Sequence, residues 1–330
     1  MVWIALLLAC FSSSSFRVSV DGLMQNFDSQ CFHVRDRITL PVNCRARGSS
    51  EDQKVASSRR ANSETRASST NATEKEYLIM HCRDDSGMFS CFDDVLTLLK
   101  CYDKGLYNGV EIDFIKQGLY YSPEYGDNWW TYYCEPICLG TKINVRHITG
   151  EIPGSIPWEA EKHTSRHEAK RLIDKYIKLK SEIMDKIAQF QIDNFVNNYV
   201  ITVHYRGTDK IIEAPAVAYG TVSAKVDEIM RDHGHDRCKI FIATDEQKFL
   251  NYMLNHYGDL ICYNTEAIRS IDGNPLHTGN YDRYQCGLDA IVDAVLLSRG
   301  QHMIRMSSNL SRWSTFFNPS IPVYELNQRY

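Results

Sequence analysis

The stretch NYVITVHYRGTDK, residues 198–210, changes character within a few positions. Val200, Ile201 and Val203 form a β-branched run with only Thr202 between them, the composition of a strand buried on both faces. Directly after it come Arg206, Gly207, Thr208, Asp209 and Lys210, a charged loop no interior could hold. The reading is a central parallel strand that ends at the rim of a sheet.

Working outward toward the C-terminus, the same pattern repeats. TVSAKVDEIMRDHG (221–234) predicts a helix, CKIFIATD (238–245) a strand, EQKFLNYMLNHYG (246–258) a helix and DLICYN (259–264) a strand. QCGLDAIVDAVLLSRG (285–300) then predicts a helix, HMIRM (302–306) a strand, SSNLSRWSTFF (307–317) a helix and IPVYEL (321–326) a last strand. Parallel neighbours need crossover connections, so this alternation predicts a doubly wound parallel sheet with helices on both faces. No Gly-x-Gly-x-x-Gly follows any strand, which removes the main support for a dinucleotide oxidoreductase.

Toward the N-terminus, Leu172, Tyr176, Leu179, Ile183, Ile187 and Phe190 recur every three or four residues, one stripe of a long amphipathic helix from about residue 159 to 190. Before it lies GLYYSPEYGDNWWTYYCEP (118–136), in which seven of the fourteen residues from Tyr120 to Tyr133 are Tyr or Trp. Such rings either wall a sugar site or pack internally with each polar tip tied down, and internal packing is the favoured reading. YLIMHC (77–82) and NGVEIDF (108–114) read as strands around a helix, FDDVLTLLKCY (92–102). The expected organisation is therefore a first α/β half with its connecting helix (76–190) and a second, Rossmann-like half (191–330).

Residues 45–75 are rich in Ser, Arg and Thr with Val55 the one large aliphatic, so 19–75 is expected to be a flexible stalk. VWIALLLACF (2–11) has the length of a signal-peptide core, which gives a signal peptide over 1–18 and a secretory-pathway or secreted protein. Removing Cys10 with that segment leaves ten cysteines, an even number that suits disulfides in an oxidising lumen. Cys134-x3-Cys138 lacks a second pair of zinc-ligand spacing, and no metal is expected. Sequons at Asn71 and Asn309 fit the same compartment. With 37 basic against 41 acidic residues there is no footprint for nucleic acid, and no apolar run is long enough for a membrane-spanning helix.

In a doubly wound sheet, ligands bind beyond the carboxyl ends of the strands. Those ends carry His204 and Arg206, then Thr244-Asp245, then Ser307-Ser308 at the start of a helix whose dipole favours an anion. Each has a plainer reading: Arg206 pairing with Asp209, and Ser307 or Ser308 as an N-cap. Asp293 lies among aliphatics in LDAIVDAVLL, so it must cap a backbone, bind an Arg or accept from a ligand N–H. Guanine, with N1–H and a 2-amino group, offers two such donors.

The run Val203-His204-Tyr205-Arg206-Gly207-Thr208-Asp209-Lys210 resembles the HxRxTDK-type motif of the fucosyltransferase superfamily, which holds the α1,6-fucosyltransferases, the nodulation fucosyltransferases and, more distantly, the protein O-fucosyltransferases. Ile242 to Asp245 and Asp293 to Ser308 resemble two further blocks of that superfamily. The resemblance implies a GT-B-like architecture, two Rossmann-like domains facing a cleft, with GDP-fucose as donor in the C-terminal one, no separate cofactor, and a glycan or glycoprotein hydroxyl as acceptor. It implies that Arg206 neutralises the β-phosphate of the departing GDP, that His204, Asp245 and Asp293 serve nucleotide-sugar binding, and that Ser307 or Ser308 contacts a phosphate. Glu213 is the candidate base for an inverting transfer and Asp209 its alternative. The chain has no Asp-x-Asp, so metal independence is expected. Gly207 stands where the α1,6 enzymes have a second arginine, so the linkage is left open. The competing readings are a non-catalytic carbohydrate-binding protein on the same fold and a transferase using another nucleotide sugar.

Overall fold

Two sheets form around the apolar runs. The computed structural model describes residues 75–150, 152–153, 164–208, 214–276, 279 and 281–328. The expected signal segment and stalk, the Asn71 sequon, and Asp209, Lys210 and Glu213 lie outside the described residues. Thr70–Tyr330 form one compact unit.

The first sheet holds β1 (Tyr77–His81), β2 (Gly109–Ile112), β3 (Cys138–Gly140) and β4 (Val145–Thr149) in the order β3-β2-β1-β4. β1 runs parallel to β2 and β4, while β3 is antiparallel to β2. Helix α1 (Met88–Asp103) makes the crossover between β1 and β2 and buries Phe89, Phe92, Val95, Leu96 and Leu99. β3 and β4 escape a periodicity reading because they are short or largely exposed edge strands.

The second sheet is wholly parallel: β5 (Tyr199–Tyr205), β6 (Cys238–Thr244), β7 (Ile261–Tyr263), β8 (His302–Arg305) and β9 (Val323–Glu325), in the order β7-β6-β5-β8-β9. The chain builds outward from β5 on one side, then crosses to β8 on the other, so β5 and β8 flank the topological switch point. The intervening helices are α5 (Tyr219–His233), α6 (Gln247–Tyr257), α7 (Arg283–Leu297) and α8 (Asn309–Phe317). This is the doubly wound parallel arrangement that the alternation predicts, and it fits the GT-B-like architecture that the resemblance implies. Thr202, the polar residue inside the β5 run, is satisfied by donating its hydroxyl to Leu297 O at 2.9 Å.

The long helix expected from residue 159 to 190 is instead two: α3 (Arg166–Tyr176) and α4 (Ser181–Asn194), with the short α2 (Trp130–Tyr133) packed at the break. The apolar spacing continues through the break, but the backbone does not. Ile177 is extended, Glu135 N donates to Lys178 O at 2.8 Å, and Lys180 N donates to Tyr133 O at 2.9 Å. Those bonds to a neighbouring segment replace helical ones, satisfying the same groups at no loss of count.

The two halves share a continuous core. Trp313 of α8 inserts between Phe89 and Phe92 of α1, at ring-centroid distances of 5.8 and 5.3 Å, and its indole N–H donates to Asp93 Oδ1 at 2.7 Å. Arg312 pairs with the other oxygen of Asp93. Asn309 donates its amide to Ser90 Oγ at 2.9 Å and Ser311 is fully buried, so the Asn309 sequon forms part of the joint. Among the described residues the eight cysteines are thiols, so the expected disulfides are not formed there; Cys82 and Cys91 bring their sulfurs to 3.5 Å. Also among the described residues, no helix is long and apolar enough to cross a membrane and no His/Cys/Asp/Glu cluster could hold a metal.

Candidate functional site

The loop after β5 is held by the end of β6. Tyr205 and Thr244 are register partners, so both strands release their chains at one level. Asp245 then reaches across: its Oδ2 lies 2.9 Å from Arg206 Nε and accepts from the Thr208 hydroxyl at 2.7 Å, while Oδ1 accepts from Gly207 N at 3.0 Å. Asp245, just past the end of the neighbouring strand, is thus a partner of Arg206 in the structure. Both oxygens of Asp245 are engaged by the loop, so this carboxylate holds Arg206 in place. The Tyr205 ring stacks on Phe249 at 4.1 Å and its hydroxyl donates to Val217 O at 3.0 Å, closing the base of the loop.

The charge of Arg206 is felt in the first half of the molecule. Burial pushes the Tyr120 hydroxyl up to about 12, opposed by the hydrogen bond it accepts from Met88 N and by the positive charge of Arg206. The guanidinium thus acts across the junction between the β5 rim and the aromatic segment. That segment is mainly packing, as favoured above: Trp129, Trp130, Tyr132 and Tyr133 are buried, whereas Tyr120, Tyr121 and Tyr125 reach its edge. Gly287 of α7 permits this close approach, since a Cβ there would meet the Tyr133 hydroxyl at 2.2 Å.

Gly207 is explained by a neighbour that the motif does not contain. A Cβ at 207 would come within 2.0 Å of Glu246 Oε2, and Glu246 is held by the Tyr219 hydroxyl, which donates to Oε1 at 2.8 Å. A carboxylate fills the space that a side chain at 207 would enter. Gly207→Ala is expected to displace Glu246 and cost about 1 to 2 kcal/mol in thermal or urea unfolding, the worth of the bond it breaks plus crowding. In a double-mutant cycle Glu246→Ala relieves most of the crowding, and strict additivity would refute the steric account.

His204 is 4% exposed on β5, with Ala243 and Arg305 as its register partners on the two sides, and its carbonyl accepts from Met306 N at 3.3 Å. Beyond β8, Ser308 is the N-cap of α8 and accepts from Ser311 N at 3.2 Å, so its hydroxyl does the capping work weighed above. Ser307 donates its backbone N–H to Asn327 Oδ1 at 2.8 Å. The switch point therefore gathers His204, Arg206, Asp245, Ser307 and Ser308 around three adjacent strand ends, those of β6, β5 and β8.

Asp293 belongs to a second, buried cluster on the other flank. It is 7% exposed on α7, and no hydrogen bond reaches its Oδ1. Burial pushes its carboxyl up to about 8, partly opposed by Arg269 and reinforced by Asp289 one turn away. Arg269 is itself spanned by backbone acceptors, donating to Ala267 O at 3.0 Å and Asn264 O at 2.9 Å. Asp289 is satisfied by Ile268 N at 3.1 Å and Gln285 Nε2 at 2.7 Å. Asp293 alone of this cluster keeps an unmet acceptor, the arrangement expected where a ligand N–H completes the bonding. Asp289 was signalled by its four-residue spacing from Asp293; Arg269 and Asn264 carry no such local signal.

Comparison with known proteins follows this geometry. No curated protein matches the chain. Among solved structures, NodZ α-1,6-fucosyltransferase co-crystallized with GDP is 16% identical, with 78% of this chain and 98% of that chain covered and a TM-score of 0.52. The fucosyltransferase NodZ from Bradyrhizobium is 17% identical, with 78% and 99% covered and a TM-score of 0.52. NodZ α-1,6-fucosyltransferase soaked with GDP-fucose is 16% identical, covers 78% and 99%, and has a TM-score of 0.50. At such identities the likeness concerns the fold. The model of the NodZ family, nodulation protein Z, matches residues 160–329, from before α3 to the end of the second sheet and more than half of the chain. The sheet order, the switch-point loop and this match together make the chain a member of the NodZ family.

Proposed function

We propose that the protein is an inverting glycosyltransferase that moves fucose from GDP-fucose to a hydroxyl of a glycan or glycoprotein. The observation that carries the reading is Arg206: a guanidinium pinned through Nε by Asp245 at the switch point of a parallel sheet, with its charge felt at Tyr120 of the other half. Glycosyl transfer separates charge, an oxocarbenium-like sugar forming as the diphosphate departs, and a fixed cation stabilises the growing negative charge without reorganising. The GDP and GDP-fucose complexes named for the NodZ relatives support the choice of donor.

In this reading the Asp293 carboxylate accepts from N1–H and the 2-amino group of guanine, His204 lines the nucleotide, and the start of α8 behind Ser307 and Ser308 faces a phosphate. Glu213, or Asp209 in its place, takes the proton from the acceptor hydroxyl. The lack of an Asp-x-Asp supports a metal-independent reaction, and the N-terminal apolar run supports a place in the secretory pathway.

The test is nucleotide release. The full chain is incubated with GDP-fucose, GDP-mannose or UDP-galactose and a mixed glycoprotein acceptor, and the expected result is acceptor-dependent GDP release with GDP-fucose preferred. Preference for another donor selects a different sugar. Glycan retention with neither GDP-sugar binding nor turnover selects a non-catalytic binding protein and overturns the proposal.

A further inference from the structure

A groove lies between the aromatic segment and the start of α7, lined by none of the residues assigned above to the donor. Its volume is about 500 Å³, within the range of ligand sites, and it lies between residues 121–124 on one side and Tyr281, Asp282 and Arg283 on the other. Both walls are set before any ligand arrives. The Tyr132 hydroxyl lies 2.7 Å from Ser122 O and 2.5 Å from Gly126 O, which closes the turn carrying Pro123 and Glu124. The Tyr125 ring stacks on Tyr284 of α7 at 3.9 Å, locking that turn to the second half. Opposite, Asp282 caps α7 by accepting from Gln285 N at 3.1 Å.

We infer that this groove is an acceptor subsite of the proposed transferase and that it holds an uncharged sugar residue of a glycan. Three observations carry this. Tyr281 is 37% exposed, and with Tyr121 and Pro123 it offers the apolar faces on which pyranose C–H faces pack. Glu124 and Asp282 accept from sugar hydroxyls and Arg283 donates to their oxygens, while two carboxylates against one guanidinium repel sialylated or sulfated chains. Tyr121 follows Tyr120, whose hydroxyl feels the charge of Arg206, so the groove begins next to a residue within electrostatic reach of that guanidinium.

The inference rests on the transferase reading, and its test separates the two. The full chain is applied without nucleotide to an array of neutral, sialylated and sulfated glycans together with unglycosylated peptides, and GDP binding is measured on the same preparations. Retention of neutral glycans is expected, weakened by about three- to tenfold in Tyr281→Ala and in Glu124→Gln, with GDP affinity unchanged. In turnover the same variants raise the acceptor KM and leave the GDP-fucose KM alone. Failure to retain a neutral glycan, a preference for acidic glycans or peptides, or equal retention by the variants overturns the groove assignment even where GDP binds. Loss of GDP binding in the unmodified chain overturns the transferase reading instead.

Discussion

Arg206→Ala lowers the rate of GDP release from GDP-fucose by about 10²- to 10³-fold, the usual effect of removing one fixed donor to a developing anion. The loss falls on kcat, because the diphosphate charge grows only as the glycosidic bond breaks. Arg206→Lys restores little, since a lysine keeps the charge but loses the Nε bond to Asp245 that fixes its direction. The fold survives the change. Asp245 keeps its bonds to Gly207 N and Thr208 Oγ1, and the Tyr205 ring remains stacked on Phe249. Steady-state release assays beside a thermal melt check this, and an alanine variant within threefold of the parent would end the claim that Arg206 carries the charge.

Asp293→Asn separates stability from binding. In the unfolded chain this carboxyl titrates near its ordinary 3.8, whereas in the folded chain burial holds it at about 8. Between those values the folded state retains a proton that the unfolded state has lost. Stability is therefore present in full below the lower value and declines as pH rises, by up to about 1.4 kcal/mol per pH unit, levelling off above the higher one. Asparagine has the same shape and does not titrate. The variant is expected to melt above the parent near neutral pH, with a gap that widens toward pH 8. Its GDP affinity falls by about 10²-fold, because an amide offers one acceptor where guanine presents two donors. Binding to the parent requires the ionised carboxylate, so near neutral pH GDP association releases a fraction of a proton, read by calorimetry in buffers of different ionisation enthalpy. Release that persists in Asp293→Asn would sink the assignment. A melting gap that does not change with pH would show that Asp293 is ionised in the folded chain.

Both predictions concern residues whose burial and partners differ from what local sequence shows. Arg206 was legible as a strand-end cation, and His204, Asp245, Ser307 and Ser308 as members of the same rim. Its bond to Asp245 was not, because only the register of β5 with β6 brings that carboxylate close. Ser308 was legible as both cap and anion contact, and the bond from Ser311 N gives it the cap. Asp293 was legible as a carboxylate among aliphatics, but the Arg269 that tempers it comes from a loop after β7 with no periodic pattern.

The sequence by itself determined the second half: β-branched runs of strand length alternating with amphipathic helices leave a parallel sheet as the way to satisfy every backbone group. Three outcomes belonged to the tertiary structure. The apolar stripe of residues 172–190 breaks at Ile177 because Glu135 and Tyr133 exchange backbone bonds with it. The halves fuse through Trp313, whose ring packs against Phe92 and whose N–H donates to Asp93, both on α1. Gly207 stands beside the carboxylate of Glu246, which precedes α6. Periodicity records which face of an element is apolar, a property of neighbours along the chain. Where a backbone bond or a charge finds its partner depends on elements far apart in sequence, and only packing brings those together.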